Sequence, residues 1–176
     1  MATRKVILVG IAEWAKVFEE NRDKVGFKDG DAPGTYEDTD GACTIDMILD
    51  KENMDRLIAS KSMKKGSPDA EGRGTRVRFV RKFNTGRDWD SGSPVVVKSD
   101  GTKWDMDVDG LIGNGSTVAV TLSVYDTRRK SIVGTRLDRV KVLEHVLPPS
   151  NDDDEVVSMP PPQKLKVVQG EEEVPF

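Results

Sequence analysis

Thr-Arg-Val-Arg-Phe-Val-Arg-Lys-Phe, residues 75–83, is the stretch of sequence on which the fold assignment rests. Side chains alternate between the two faces of a β-strand, so this stretch separates apolar from cationic groups. One face carries Val77, Phe79 and Phe83. The other carries Arg76, Arg78 and Lys82, with Val80 among them. A row of cations matches the repeated phosphates of a nucleic-acid backbone. A solvated edge strand, kept from aggregating by its charges, is the alternative.

Length and composition predict one folded domain followed by a tail. Of the 176 residues, 36% are hydrophobic and 33% are charged, which supports a core but predicts that part of the chain is disordered. The predicted domain covers residues 1–147 and the predicted flexible acidic tail residues 148–176. No apolar run is long enough to span a membrane, and none reads as a signal peptide. The single cysteine, Cys43, excludes an internal disulfide and a cysteine-rich metal site, and suits a reducing cytoplasm.

Charge is segregated along the chain. From Ser150 onward there are two basic and seven acidic side chains, a net charge of −5, whereas residues 1–149 hold 25 basic and 24 acidic side chains. Residues 61–87 carry nine cations against two acids. This distribution predicts a cationic surface on the domain and an anionic tail.

Hydrophobic periodicity predicts five or six short strands and one helix. The helix starts at Asp50, which can act as its N-cap, and extends to Met63. The predicted strands cover residues 4–18, 43–49, 75–83, 94–97, 117–125 and 137–147, although residues 12–18 could instead start a helix. A small, turn-rich β chain with one helix after the second strand is typical of a barrel or a sandwich. A mainly β, five-stranded oligonucleotide-binding (OB) barrel fits this count.

The sequence offers little chemistry for catalysis. Asp105, Asp107 and Asp109 mimic the start of a calcium loop, but Ser116 stands where the closing bidentate Glu would be. His145 is the only histidine and is distant in sequence from Cys43, which gives a nucleophile–base pair little support. We therefore predict no catalytic residues, no metal site and no cofactor. A metal-dependent nuclease ranks last among the possible functions.

Aromatic rings beside clustered cations are the features expected of a single-strand binder. Cations follow the phosphates, while rings stack on bases without reading their identity. Phe79 and Phe83 are assigned to the core, and for Trp89 and Trp104 stacking and packing are both open. The predicted DNA-binding residues are Arg76, Arg78, Lys82, Trp89, Trp104, Tyr125, Arg128, Arg129 and Lys130.

The predicted tail ends in an acidic run closed by an aromatic residue. A terminal carboxylate, a ring and nearby acids suit a basic-rimmed apolar pocket on a partner protein. The same anions could occupy the DNA groove of the domain, and a solvating tether is the simplest alternative. The predicted partner-binding residues are Glu171, Glu172, Glu173, Val174, Pro175 and Phe176.

Several short motifs, in order, resemble the single-stranded DNA-binding proteins of short-tailed lytic bacteriophages (podoviruses). They are Gly10-Ile11-Ala12-Glu13, residues 95–103 (Val-Val-Val-Lys-Ser-Asp-Gly-Thr-Lys), Ile112-Gly113-Asn114-Gly115-Ser116, Tyr125, Gly134 and the tail ending in Phe176. The chain departs from that pattern at Phe79-Val80-Arg81, where the family often has further aromatic residues. The tail also carries an unexpected basic insert, Lys164-Leu165-Lys166-Val167-Val168.

The resemblance implies an OB barrel with a helix between its second and third strands and a homodimer. It implies a non-enzymatic protein of phage DNA replication, recombination and repair, acting in the cytoplasm of the infected bacterium. Such a protein coats single strands, promotes annealing and contacts the phage DNA polymerase and primase-helicase through its tail. Tyr125 takes the position of the base-stacking tyrosine, and Arg78 that of a basic strand residue.

Two other functions fit the same residues. An RNA-binding or RNA-chaperone barrel would use a similar stacking groove, because stacking tolerates both sugars. A protein adaptor would act through the tail, with the cationic surface only aiding solubility. Binding to single-stranded DNA without sequence preference is the predicted function.

Overall fold

Seven strands and three short helices make up the described part of the chain, residues 3–24, 39–129 and 131–148 of a computed structural model. The strands are β1 (Thr3–Lys16), β2 (Ala42–Leu49), β3 (Ser67–Pro68), β4 (Thr75–Lys82), β5 (Val95–Val97), β6 (Ser116–Asp126) and β7 (Val133–Glu144). The helices are a 3₁₀ turn (Glu19–Asn21), α1 (Lys51–Ala59) and α2 (Met106–Asp109). Except for Pro148, the predicted tail lies outside the described residues.

The five long strands form an OB barrel. Within the order β3-β4-β2-β1-β6-β7-β5, the central strand β1 pairs antiparallel with both β2 and β6. β4 and β7 are not hydrogen-bonded neighbours, but they lie side by side and bring the sheet round on itself. This is the partly open, five-stranded barrel expected of the fold class. The position of α1 between β2 and β4 also matches the expectation, while β3 and β5 are short additions.

Alternating side chains fill the barrel interior. The largest fully buried side chains include Leu8, Ile45, Met47, Phe79, Leu122 and Leu137. Burial of each such side chain stabilises the fold by about 1.5–3 kcal/mol relative to exposure. Phe79 is therefore a core residue, as predicted, whereas Phe83 lies half-buried with the Arg22 guanidinium 4.1 Å from its ring centre.

Helix α1 begins where its predicted cap lies and ends earlier than predicted. The Asp50 carboxylate accepts a hydrogen bond from the Asn53 backbone N–H (2.9 Å), and the Asn53 side-chain oxygen accepts one from Val9 N–H (2.9 Å). These bonds cap the helix and attach it to β1. The helix stops at Ala59 because the chain reaches Lys61 with φ +71°, a left-handed conformation that no α-helix contains.

The six predicted strands are present with shifted ends, and the two-residue β3 was not predicted. β7 begins at Val133, before the predicted residue 137, because residues 133–137 continue the ladder with β6. No helix within the described ranges has the length and apolar character needed to cross a lipid bilayer.

Candidate nucleic-acid interface

Two predicted stacking rings meet around an arginine on the outer surface of the barrel. The Arg136 guanidinium carbon lies 5.3 Å from the Trp89 ring centre and 5.8 Å from the Tyr125 ring centre. The Arg87 guanidinium also lies 5.3 Å from the Trp89 ring. We call Arg87, Trp89, Tyr125 and Arg136 the ring–arginine cluster. Trp89 is 69% exposed, so much of its surface is accessible to a ligand.

The pairing of β6 with β7 positions Tyr125. Tyr125 lies opposite Gly134, and a Cβ atom at residue 134 would collide with the tyrosine ring. The ring therefore covers the glycine backbone, an arrangement that shields a side-chain-free position in a sheet. Gly134 is required here because any side chain would displace the ring.

Hydrogen bonds beneath the cluster orient Arg136. Its Nε donates to Asp138 Oδ1 (2.7 Å) and its Nη2 donates to Ser123 Oγ (3.1 Å). Lys5 and Arg81 donate to the same carboxylate, at 2.7 and 3.2 Å. Burial raises the pKa of Asp138, but hydrogen bonds from Arg136, Lys5 and Ser123 outweigh it, and the net pKa is lowered. Asp138 thus remains charged and holds Arg136 in place.

A closed loop, residues 84–92, carries Trp89. Gly92 N–H donates to Phe83 O (2.6 Å) and closes the base of the loop. Inside it, buried Asp90 accepts hydrogen bonds from Arg87 Nε (3.0 Å) and Nη2 (2.7 Å). Burial raises the pKa of Asp90, and the bonds from Arg87 and Thr85 lower it below its usual range. Trp89 is therefore presented by an internally bonded loop.

The first arginine of β4 lies among carboxylates. Arg76 Nη2 is 2.5 Å from Glu13 and 3.1 Å from Asp69, and its Nη1 is 3.5 Å from Asp46. Arg73 joins the same group through Asp69 (2.8 Å) and Glu13 (3.0 Å). Glu13, Asp46, Asp69, Arg73 and Arg76 are called the carboxylate–arginine network. Hydrogen bonds from Arg76 to Glu13 and from Arg73 to Asp69 lower the pKa of each carboxyl.

This network pairs Arg76, one of the cations predicted to be open on β4, with carboxylates. The Arg76 side chain is only 28% exposed and its charge is balanced, so a phosphate would have to displace a carboxylate. Arg78 also reaches Asp46 (2.8 Å), although its side chain is 57% exposed. Lys82 is exposed. The predicted row of open cations is therefore interrupted at Arg76, and the predictions for Arg78 and Lys82 stay predictions.

Lys64 adds a cation beside the outer face of β4. Burial lowers the pKa of Lys64, and the positive charges of Arg78 and Lys82 lower it further. Lys64, Arg78 and Lys82 therefore lie close enough to one another for their charges to interact. An anionic ligand would relieve their mutual repulsion.

The remaining predicted cations lie in the turn after β6. Arg128 and Arg129 are both exposed, three and four residues beyond Tyr125. Neither side chain bonds to another residue within the described ranges. The structure does not describe Lys130. The turn extends the cationic surface beyond the ring–arginine cluster.

Trp104 is a core residue, and its predicted stacking role does not fit its position. Its side chain is 8% exposed, its indole N–H donates to Gly110 O (2.9 Å), and its ring meets His145 edge-on at 4.8 Å. Both the ring face and the polar group already have partners inside the protein. No ring surface is left for a base.

Arg87, Arg136 and Asp138 were not among the predicted site residues. Arg136 and Asp138 are two residues apart on one strand, which places both on one face. This spacing is a signal that the sequence does contain. The loop contact between Arg87 and Trp89 has no comparable periodicity, since it depends on the Asp90 bond inside an irregular segment.

Comparisons with known proteins find similarity at the level of structure. No family model matches the chain, and no curated protein matches it either. A crystal structure of gp2.5, a single-stranded DNA-binding protein encoded by bacteriophage T7, is similar with a TM-score of 0.55 and 19% identity, over 88% of this chain and 96% of that chain.

The single-stranded DNA-binding protein of bacteriophage Enc34 is similar in two structures. The C-terminally truncated form and the complex with single-stranded DNA each give a TM-score of 0.50 and 13% identity over 83% of this chain. They are covered to 87% and 88% of their own length. At these identities the likeness establishes a shared fold.

Proposed function

We propose that the protein binds single-stranded DNA without sequence preference and serves phage DNA replication, recombination and repair. The observation that carries this proposal is the ring–arginine cluster, in which an exposed indole and a tyrosine ring flank one guanidinium. A base can stack on either ring, and the cations can bind the neighbouring phosphates. Similarity to barrels solved from phages, one of them with single-stranded DNA bound, supports this function.

The physics of the cluster favours single strands over duplex. Stacking on Trp89 requires an unpaired base with a free face, and each stacked base contributes about 1–3 kcal/mol. In a duplex, both faces of each base are already stacked. Phosphate binding by exposed cations adds an affinity that falls as salt rises.

A fluorescence titration with oligo-dT at two salt concentrations tests the proposal. We expect quenching of exposed Trp89, an affinity that falls with salt, and much weaker binding to duplex of the same length. Equal affinity for duplex and single strand would overturn it. Tighter binding to oligo-U than to oligo-dT would instead favour an RNA-binding barrel, and absence of any nucleic-acid binding at low salt would favour a protein adaptor.

Trp89→Ala, with a matched control, identifies the site in the same assay. Val108 is 77% exposed on α2 and makes no part of the cluster, so Val108→Ala removes exposed apolar surface without touching the site. We expect Trp89→Ala to weaken oligo-dT binding and Val108→Ala to leave it unchanged. Equal effects of the two substitutions would contradict a site at the cluster.

The tail has a separate role in this proposal. Residues 171–176 recruit the phage DNA polymerase and primase-helicase, while the barrel coats single strands and promotes their annealing as a homodimer in the infected cell. Removal of residues 174–176 should leave or raise oligo-dT affinity and abolish stimulation of that polymerase. Loss of DNA binding on this truncation would contradict the separation of roles. Sedimentation of the full chain measures whether it is a dimer.

A further inference from the structure

Trp14 is an exposed aromatic residue held in an uncommon backbone conformation. It lies near the end of β1, outside both groups of residues described above. Its side chain is 60% exposed and its φ is +51°. Bulky residues rarely adopt positive φ, and such strain persists where the surrounding structure enforces it, often at binding sites. The position therefore calls for a physical account.

A β-bulge turns Trp14 out of the core. In the pairing of β1 with β2, Glu13 lies opposite Asp46 and Lys16 opposite Thr44. β1 therefore has one more residue than β2 over this interval. Before the bulge, Leu8 and Ala12 point into the core, and the same alternation would send Trp14 inward. After it, Ala15 and Val17 are buried instead. The extra residue places both Trp14 and Lys16 on the outer side, the re-aiming for which bulges are known.

The turn before β6 fixes this geometry. Trp14 N–H donates to the Asn114 side-chain oxygen (2.8 Å), and Gly115 N–H donates to Ala12 O (3.0 Å). The backbone that carries the indole is thus bonded at Ala12, just before the bulge, and at Trp14 within it. A ring on a fixed backbone loses little conformational entropy when a ligand stacks on it.

Lys16 supplies a cation beside the ring. It pairs with Thr44 of β2, and Thr44 pairs with Val80 of β4. Paired residues share a face, so Lys16 lies on the same face as Arg78 and Lys82, which flank Val80 at two residues' distance. Lys16 is exposed and forms no hydrogen bond or ion pair with any residue in the described ranges.

Lys16 and the outward residues of β4 lie two strands apart on one face of the sheet. Strands in a sheet are about 4.8 Å apart, so Lys16 and Val80, two strands apart, are separated by about 10 Å. Lys82 ends β4, and the loop that presents Trp89 starts two residues later. β2 is buried along its whole length, so the exposed side chains on this face are those of Trp14 and Lys16 on one side of it and of Arg78 and Lys82 on the other.

We propose that Trp14 and Lys16 form a second nucleotide-binding position, in which the indole stacks on a base of single-stranded DNA and the ammonium group binds the adjacent phosphate. This position rests on the proposed function and extends it. It assigns a binding role to the bulge in β1. It also explains why a strained backbone and an exposed indole coincide.

Substitutions at residue 14 test the position in the full-length protein with oligo-dT as the probe. Trp14→Ala should weaken binding by about tenfold, since one stacked base is lost. Trp14→Tyr keeps a ring and should retain most of the affinity. Trp14→Gly removes the ring but accepts positive φ, so its thermal midpoint should equal or exceed that of the wild type while its affinity falls. Loss of affinity together with loss of folding in all three variants would overturn a stacking role.

Fluorescence gives an independent readout. In a Trp89→Phe variant, the emitting residues are Trp14 and buried Trp104, so quenching by oligo-dT reports on Trp14. The quenching should vanish when Trp14→Phe is added. Persistence of the full signal in this double variant would place the responding indole elsewhere and overturn the position.

The experiments distinguish an error in the second nucleotide-binding position from an error in the proposed single-stranded DNA binding. If Trp14→Ala and Lys16→Gln bind oligo-dT like the wild type while Trp89→Ala binds weakly, the second position is wrong and the single-strand function stands. If the wild-type protein does not bind oligo-dT, the function itself is wrong.

Discussion

Two regions of the barrel surface are rich in arginine, and they differ in whether aromatic rings lie beside the paired guanidinium groups. In the ring–arginine cluster, Arg87 and Arg136 lie against aromatic rings, and their carboxylate partners, Asp90 and Asp138, lie beneath them. In the carboxylate–arginine network, Arg73 and Arg76 are surrounded by acids, and the Asp69 side chain is 1% exposed. The first arrangement leaves Trp89 and Arg87 facing solvent, while the Arg136 side chain is only 18% exposed. The second neutralises charge to hold the sheet and its connecting segment together.

The comparison indicates that the number of cations on a strand does not by itself locate a phosphate-binding surface. Arg76 stands in the sequence motif that first suggested nucleic-acid binding, yet its charge is balanced within the fold. Arg136 stands outside that motif and lies at the centre of the site. The arginines of both regions are paired with carboxylates, and the cluster differs in having the exposed Trp89 ring beside its arginines.

Asp138→Ala should have the largest effect, because it removes the acid that supports the cluster. Arg81 is largely buried and would lose its carboxylate partner, so we expect a fall of about 3 kcal/mol in the free energy of unfolding. Urea denaturation measures this change. Asp126→Ala serves as control, since Asp126 forms a more exposed pair with Arg4 and should cost less than about 1 kcal/mol. Similar losses in the two variants would mean that Asp138 is not a buried support.

Tyr125→Ala should lower the affinity for oligo-dT by about 1–3 kcal/mol while leaving the fold intact. The ring lies on the outer surface over Gly134, so the barrel core keeps its packing without it. Fluorescence titration gives the affinity, and thermal unfolding checks stability. An unchanged affinity would remove Tyr125 from the site and reduce the cluster to Trp89 and its arginines.

Gly134→Ala should displace the Tyr125 ring and lower oligo-dT affinity by about 1 kcal/mol, less than removal of the ring itself. The new methyl group would occupy the space that the ring now covers. A double-mutant cycle is the sharpest measurement. In a Tyr125→Ala background, Gly134→Ala should have no further effect on affinity, and an additive loss would show that Gly134 acts independently of the ring.

The smallest effect should come from single surface cations and should separate the two regions directly. Arg128→Gln should reduce the slope of log affinity against log salt by about 0.7, the value for one phosphate contact on a single strand. Arg76→Gln should leave the slope unchanged and lower the thermal midpoint, because it breaks pairs with Glu13 and Asp69. The reverse result would mean that the network opens to bind DNA.

Local features of this fold could be predicted from the sequence, and long-range pairing could not. Alternation marked β2, β4 and β6, and Asp50 marked the start of α1, because these signals lie within a few residues of one another. The Arg76–Glu13 pair joins residues 63 positions apart, and no periodicity connects them. The sequence left stacking and packing open for Trp104 for the same reason, since the His145 ring that it meets comes from a distant part of the chain.

The site shows the same division. Tyr125 and Trp89 could be selected as rings in polar surroundings, but the arginine between them comes from a different strand. Arg81 follows Val77 and Phe79 in alternation, so its inward direction was present in the pattern. The hydrogen-bond partners of Arg81 on β7 and in the loop could not be predicted from the sequence, because they are distant from it along the chain.

Arg81 also contributes to the closure of the barrel. Its guanidinium donates to Leu137 O (3.3 Å) and Asp138 Oδ1 (3.2 Å) of β7, where β4 and β7 share no main-chain ladder, and to the loop carbonyls of Ser91 and Gly92. The Arg81 side chain therefore joins β4 to β7 where main-chain hydrogen bonds are missing. Separating β4 from β7 would break these side-chain bonds. Separating any other neighbouring pair of long strands would break a whole ladder of main-chain hydrogen bonds.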